Sequence, residues 1–343
     1  MDKRIILAVA GSGKTKFIID KLCLEKRHLI ITYTINNEMN LRERIIAKFG
    51  FFPSNVKLTT YFPFLYKFCY RPSMGYAYRD KGMEMNSPPE FTRRLKREDI
   101  RYYRSHGNRF YHNRLALLVL NYRSEFVMNR LIKYYDNLFV DEFQDFAGHD
   151  FNLIGHLVTA PINVYLVGDF YQHTFDTSRD GRTNINLHKS REKYLEKCKQ
   201  LDLVVDVTTL NNSWRCSNEI CSFVSEKLGI EIGSNRSDST KIKIIDTIEE
   251  AIPIIDNNSI IKLFNSASYK YDCSGDNWGA VKGINNYIDV CVVMTKGAFE
   301  SLLNDTLQDL APTTKSKLYV AITRTRGDLY FMHPDLLKEY KMF

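Results

Sequence analysis

Residues 4–15 read Arg-Ile-Ile-Leu-Ala-Val-Ala-Gly-Ser-Gly-Lys-Thr. A β-branched apolar run gives way to a loop of small residues. Lys16-Phe17-Ile18-Ile19-Asp20-Lys21-Leu22 then opens a helix. Strand, tight loop and helix in direct succession commit a chain to an α/β arrangement. The loop fits the pattern G-x-x-x-x-G-K-[ST], with Ala8 in place of the first glycine. Gly11 and Gly13 let backbone N–H groups curl around phosphate oxygens, and the helix N-terminus adds positive potential. In such a loop Ala10, Gly11, Ser12 and Gly13 cradle phosphates. Lys14 reaches the β- and γ-phosphates, and Thr15 ligates Mg²⁺.

A second stretch has the chemistry to use such a loop. Leu138-Phe139-Val140 ends abruptly in Asp141-Glu142, followed by Phe143-Gln144-Asp145. An apolar run stopping at two acids predicts a buried parallel strand whose C-terminal end opens toward a ligand. Two neighbouring acids there divide labour, one holding a metal ion and the other orienting water. Further strands are predicted at His28–Thr34, Val56–Thr60 and Asn163–Asp169, with a helix over Asn36–Phe49. Past Asp206 the α/β pattern continues, with strands at Lys241–Ile245, Ile260–Phe264, Val290–Met294 and Leu329–Met332. Ser316–Ile322 reads as a helix.

Residues 71–135 break this alternation. They carry fourteen Lys and Arg against six acids, a net +8 that equals the formal charge of the whole chain. Tyr76, Tyr78, Tyr102, Tyr103, Phe110 and Tyr111 are interleaved with the cations. Cations supply phosphate contacts and open aromatic rings stack on unpaired bases, which predicts a nucleic-acid contact. The alternative is a helical insertion with a solvated basic face and tyrosines partly in the core.

At 343 residues the chain is long enough for two domains. The seven cysteines include no C-x-x-C pair, which predicts reduced thiols in a cytoplasmic protein rather than a disulfide frame or zinc site. The apolar stretch Ile5–Ala10 is too short for a signal peptide or membrane span.

The ordered set of motifs resembles the UvrD/Rep/PcrA-type superfamily 1 helicases. Ala8–Thr15 looks like their first motif, and Ile31-Thr32-Tyr33-Thr34-Ile35-Asn36 followed by Met39 and Arg42-Glu43-Arg44-Ile45 is similar to their T-F-T-N…M-R-E-R-I segment. Thr60-Tyr61-Phe62 resembles T-F-H, Val140–Asp145 resembles V-D-E-x-Q-D, and Val167–Gln172 resembles V-G-D-x-x-Q. Asn212–Ser217 is similar to Q-N-Y-R-S, Ala280–Gly283 to A-K-G, and Tyr319–Thr325 to Y-V-x-x-T-R-A.

The resemblance implies two RecA-like lobes with parallel sheets: lobe 1A over 1–70 and 136–205, a basic insertion over 71–135, and lobe 2A over 206–343. It implies an ATP hydrolase that translocates 3′ to 5′ on single-stranded DNA, with MgATP in the cleft of the two lobes. Thr15 and Asp141 would hold Mg²⁺, Glu142 would activate water, and Gln172 would sense the γ-phosphate. Arg215 and Arg324 would act as arginine fingers, Trp214 would stack on the base, and Gly283 would border the nucleotide. Thr34, Thr60, Tyr61, Phe62, Phe175 and Lys282 would contact DNA.

Departures from the family pattern accompany the match. The upstream adenine-reading Gln has no counterpart, Asn285 replaces a Glu, and Thr177 replaces a stacking Trp. Only about 60 residues separate Ser217 from Ala280, so the family's large accessory subdomain is missing. Trimmed motors of this kind accompany a nuclease or another repair or antiphage-defence subunit, as in systems such as Gabija. The rival readings are a DNA-stimulated ATPase switch that gates a partner nuclease, and a small-molecule phosphotransferase.

Overall fold

A computed structural model describes residues 1–174, 176–284 and 286–342. The chain forms two compact units. Unit 1 comprises Met1–Ile6, Thr15–Gly168 and Phe175–Asp206, and unit 2 comprises Leu7–Lys14, Asp169–Thr174 and Val207–Phe343. By packing, the two short loops Leu7–Lys14 and Asp169–Thr174 group with unit 2 although the chain on either side of each lies in unit 1.

Unit 1 is built on a six-stranded sheet: β1 (Lys3–Leu7), β2 (His28–Thr32), β3 (Val56–Thr60), β4 (Asn137–Asp141), β5 (Asn163–Gly168) and β6 (Val204–Asp206). The spatial order is β3-β2-β4-β5-β1-β6. The pairs β2–β3, β2–β4, β4–β5 and β1–β6 run parallel. Parallel strands are covered on both faces, which is why they read as unbroken apolar runs. Ile5, Ile6, Ile30, Ile31, Leu138, Phe139, Val140, Leu166 and Val167 are accordingly fully buried. Each such side chain stabilises the fold by roughly 1.5–3 kcal/mol relative to exposure.

The helices of unit 1 begin and end on local signals. α1 (Lys14–Asp20) follows the small-residue loop, and α2 (Ile35–Phe49) is capped by Thr34, whose hydroxyl accepts the Asn37 N–H at 3.2 Å. Gly50 closes α2 in the left-handed conformation, donating its N–H to the Ile46 carbonyl. Leu41 and Ile45, four residues apart, form the buried stripe of α2. α3 (His112–Tyr134) bends at Arg123 (φ −145°, ψ 20°). Its first half is buried almost all round, and its second half buries only Val127 and Leu131. α3 packs on α4 (Gly148–Leu157), and α5 (Arg191–Lys199) leads into β6.

Unit 2 carries a five-stranded parallel sheet of β7 (Ile242–Ile245), β8 (Ile260–Phe264), β9 (Gly275–Asn277), β10 (Asp289–Val293) and β11 (Leu329–Met332). Its order is β7-β11-β10-β8-β9. Alternation along β10 feeds two cores. Val290 and Val292 face α6 (Asn218–Leu228), α8 (Lys296–Leu303) and α9 (Pro312–Ile322), while Cys291 and Val293 face α7 (Ile248–Asp256). Trp278 is fully buried in the first core and donates its indole N–H to the Leu263 carbonyl at 2.8 Å. All seven cysteines are free thiols, five of them buried. Among the described residues no helix is long and apolar enough to cross a membrane.

One buried ion pair ties the segment after β5 to the 71–135 insertion. The Arg114 guanidinium meets Asp180 Oδ1 at 3.1 Å, with side chains 1% and 8% exposed. Arg114 also donates to Thr92 Oγ1 (2.9 Å) and the Tyr102 carbonyl (2.7 Å), and lies 3.9 Å from the Tyr102 ring centroid. The Tyr102 hydroxyl donates to Asp180 Oδ2 at 2.8 Å. Burial pushes the Asp180 carboxyl up, but contacts from His149, Tyr102 and Arg114 outweigh it and hold the group at about 2. A depressed carboxyl stabilises the fold above its unfolded pKa and loses that contribution as pH falls through the folded value. Equilibrium unfolding of the wild type should therefore lose about 2 kcal/mol between roughly pH 4 and pH 2 from this group. Asp180→Asn should cost about 3–5 kcal/mol in urea unfolding at neutral pH, because it strands a buried guanidinium.

Candidate nucleotide and nucleic-acid sites

The predicted site residues of unit 1 gather at the C-terminal ends of its strands. Asp141 closes β4, is 4% exposed, and accepts from the Thr32 hydroxyl at the end of β2 at 3.4 Å. The hydroxyl and the carboxylate form a compact oxygen-rich corner suited to a hard divalent cation. Glu142 follows in the left-handed conformation (φ 54°, ψ 44°), a costly state for a non-glycine residue. The Gln144 side-chain amide donates to Glu142 Oε2 at 2.7 Å and holds that carboxylate in place. Gly168, at the end of β5, makes room for this pair: a Cβ there would sit 2.5 Å from Gln144 Oε1. Thr15, in the first turn of α1, is partly buried.

The segment after β5 fastens the same loop. Thr177 donates its N–H to the Asp145 carbonyl at 2.9 Å, and its hydroxyl accepts the Ala147 N–H at 3.1 Å. Thr177, expected from the sequence resemblance to replace a stacking Trp, is thus a buried clamp on the loop of the acid pair. Phe175, expected to contact DNA, lies outside the described residues, as does Asn285.

The expected DNA-contact residues of unit 1 divide by exposure. Thr34 is exposed at the start of α2, and Thr60 is partly exposed at the end of β3. Phe62 is partly exposed and forms edge-to-face pairs with Tyr33 (6.3 Å) and His112 (5.6 Å). Tyr61 is fully buried: its ring stands on Phe146 at 4.9 Å and its hydroxyl donates to Asp150 Oδ1 at 2.6 Å. Burial raises the Asp150 carboxyl, against the lowering by the Tyr61 bond. Tyr61 therefore anchors the turn, and the ring it leaves at the surface is Phe62.

The interleaved aromatics of 71–135 are mostly core. Tyr102, Tyr103, Phe110 and Tyr111 are buried beneath α3, and Tyr76 alone of the six is largely open, at 91% exposed. Phe110 packs against Tyr70 (4.9 Å) and Tyr78 (5.6 Å). Stacking on unpaired bases by those four rings is thereby excluded in this conformation. The cations fare differently. Arg71, Arg79, Arg94, Lys96, Arg97, Arg109 and Arg123 are exposed, while Arg114 is consumed by Asp180.

In unit 2 the phosphate loop is held by a phenol that sequence reasoning gave no role. The Tyr319 hydroxyl, buried in α9, accepts the Ala10 N–H at 2.8 Å and donates to Asp169 Oδ2 at 3.1 Å. Burial pushes this phenol well above its ordinary range and Asp169 adds to the effect, so it keeps its proton. The Ala10 amide is thus occupied, and the Ser12 N–H turns to the Val9 carbonyl at 3.3 Å. Gly11 and Gly13, both at positive φ (72° and 96°), carry the amides with no protein partner among the described residues. Gly11 is also closely approached: a Cβ would lie 2.6 Å from Ser213 Oγ and 2.7 Å from Arg215 Cβ. The Trp214 N–H donates to the Gly11 carbonyl at 2.9 Å.

Asp169 also receives the Gln172 side-chain amide at 2.9 Å, and Gln172 Oε1 accepts from the Arg324 guanidinium at 3.2 Å. Arg324 is 2% exposed and donates further to the Ile284 carbonyl at 2.9 Å. Arg215 donates to the Thr323 carbonyl at 2.9 Å, and burial pulls its guanidinium below the ordinary value. Trp214 stands 68% exposed beside it. Gly283 is exposed at φ 88°, and Lys282 is partly buried. Glycines that admit a ligand's oxygens, two guanidinium groups and a Gln fit a nucleotide triphosphate, and the oxygen donors Thr15, Thr32 and Asp141 fit Mg²⁺. Asp169 carried a sequence signal, an acid closing a strand. Tyr319 carried one only as the first position of the Y-V-x-x-T-R-A segment, with no role attached to it.

No family model matches the chain, and no curated protein does. Among solved structures the chain is similar to an arterivirus nonstructural protein 10 helicase in complex with DNA. That match has 14% identity over 98% of this chain and 63% of the other, with a TM-score of 0.51. The PRRSV helicase (14% identity, 98% and 53% covered, TM-score 0.48) and an arterivirus nonstructural protein 10 helicase (14%, 98% and 62%, 0.47) are also similar. The chain spans between 53% and 63% of the length of these proteins. The likeness is one of fold: an α/β helicase architecture with large parallel sheets.

Tyr319→Phe keeps the ring and removes the hydroxyl, leaving the Ala10 N–H and Asp169 each short of a partner. It should cost about 1–3 kcal/mol in thermal unfolding. A melting curve equal to wild type would show that the loop does not depend on this bond.

Proposed function

We propose that this chain is an ATP-driven, single-strand DNA translocase of the superfamily 1, UvrD-like type. The observation that carries the reading is the Asp169–Gln172–Arg324 chain of hydrogen bonds beside a glycine-rich phosphate loop. A small-molecule phosphotransferase gives that chain no task. Lys14 holds the β- and γ-phosphates, Thr15 and Asp141 ligate Mg²⁺, and Trp214 lies against the base. When bound, MgATP supplies the phosphoanhydride that is broken and the metal that neutralises its oxygens. Glu142, oriented by Gln144, takes a proton from the attacking water. Gln172 reports the γ-phosphate, and Arg215 and Arg324 neutralise charge developing on the transferred group.

Thr34, Thr60, Phe62 and Lys282 contact the strand, with Tyr61 fixing Phe62 from below. The exposed cations of 71–135 grip phosphates as an insertion within lobe 1A (1–70 and 136–205), and 206–343 forms lobe 2A. The DNA complex of the similar arterivirus helicase supports a nucleic-acid substrate. Polarity is 3′ to 5′, and a partner subunit such as a nuclease completes the biological unit.

ATP hydrolysis should rise strongly with single-stranded DNA. Glu142→Gln should nearly abolish it while nucleotide binding persists, since an amide cannot accept the proton. Arg215→Ala should lower kcat by about 10³. DNA-stimulated hydrolysis with no displacement of a third strand from a triplex would sink translocation and leave a nucleotide switch. Hydrolysis indifferent to DNA would sink both.

A further inference from the structure

The first residues of β2, β3 and β4 lie at the end of the unit 1 sheet opposite Asp141, as the registers His28↔Val56 and His28↔Asn137 require. A cavity of about 400 Å³ opens there, wholly within unit 1. Its walls include Arg27, Lys57, Phe68, Arg130, Tyr134 and Tyr135. Three cations line it and no acid does.

The three cations are not equally committed. Arg27 is held by Asp136 at 2.7 and 3.1 Å. Lys57 is exposed and has no hydrogen bond or ion pair among the described residues. Arg130 has no carboxylate partner among the described residues. Its guanidinium carbon lies 4.9 Å from the Phe68 ring centroid and 5.3 Å from that of Tyr134, and its Nε is buried with no acceptor. Ring contacts support a guanidinium without using its N–H groups as donors, which leaves them available to an anion. Tyr134 is 42% exposed, so part of its ring is open to a planar group.

We propose that this cavity binds a nucleoside 5′-phosphate, with the phosphate on Arg130 and Lys57 and the base against Tyr134. A bare anion would use the cations and leave the rings idle. An apolar ligand would leave the buried Arg130 Nε without an acceptor. A nucleotide uses both, and the volume falls in the range of small-molecule sites. The cavity shares no lining residue with the phosphate loop Leu7–Lys14.

The test is calorimetric titration of the full chain with deoxyadenosine 5′-monophosphate, in wild type and in Lys14→Ala to silence the phosphate loop. Binding should survive Lys14→Ala and weaken about tenfold or more in both Arg130→Gln and Lys57→Gln. Lys57 is exposed and unpaired, so its variant should fold normally and guards against misreading a folding defect at Arg130. Tyr134→Ala should weaken the nucleotide and leave inorganic phosphate unchanged. A ten-residue oligothymidylate separates the sources. Arg130 dependence of the mononucleotide alone assigns a free nucleotide, and dependence of both assigns a nucleotide within a strand. Mononucleotide binding that vanishes with Lys14→Ala, or that ignores Arg130→Gln and Lys57→Gln, overturns the proposal. Equal nucleotide affinity in Tyr134→Ala overturns the base contact.

Discussion

One buried phenol holds together the parts of unit 2 that the proposed chemistry needs. Tyr319 reaches from α9 to an amide of the phosphate loop and to the carboxylate of Asp169. These partners are 309 and 150 residues away in sequence. Asp169 in turn takes Gln172, and Gln172 takes Arg324. Each group in the series is buried, so each bond is made in surroundings where leaving it unmade is expensive. A polar chain that is satisfied throughout specifies a single arrangement, and here the arrangement includes the glycine loop.

Unit 1 solves a different problem. Its two acids must be held in a fixed orientation at a strand end. Thr32 and Gln144 contribute to this with a hydroxyl and an amide donor. The supports come from the small residue Gly168 and the clamp Thr177, neither of which touches the carboxylates. The geometry of the acid pair is therefore set by backbone spacing several residues away.

How much of this was legible depended on whether burial or contact decided the matter. The strands of unit 1 announced themselves because two-sided burial forces unbroken apolar runs, and Leu138–Asp141 is one of them. The loop at Gly11 was readable because a positive φ and a close approach both demand glycine. The tyrosines of 71–135 were not, since aromatic rings among cations look alike whether they face water or a core. Packing beneath α3 settled the question, and a buried Arg114 lying over Tyr102 shows how cation and ring can pair inward. Thr177 read as a lost stacking platform because a motif compares positions one at a time. Its two hydrogen bonds, to Asp145 and Ala147, bridge some thirty residues of sequence.

The left-handed backbone at Glu142 sets fold and chemistry against each other at one position. Glycine relaxes that conformation, whereas glutamate is strained in it. A change from Glu to Gly would therefore ease the turn while deleting the carboxylate. Under the proposed mechanism its product would keep the turn and lose hydrolysis, while the buried Gln144 amide would lose its Glu142 acceptor. In the proposed mechanism the strain at this position accompanies the water-activating carboxylate.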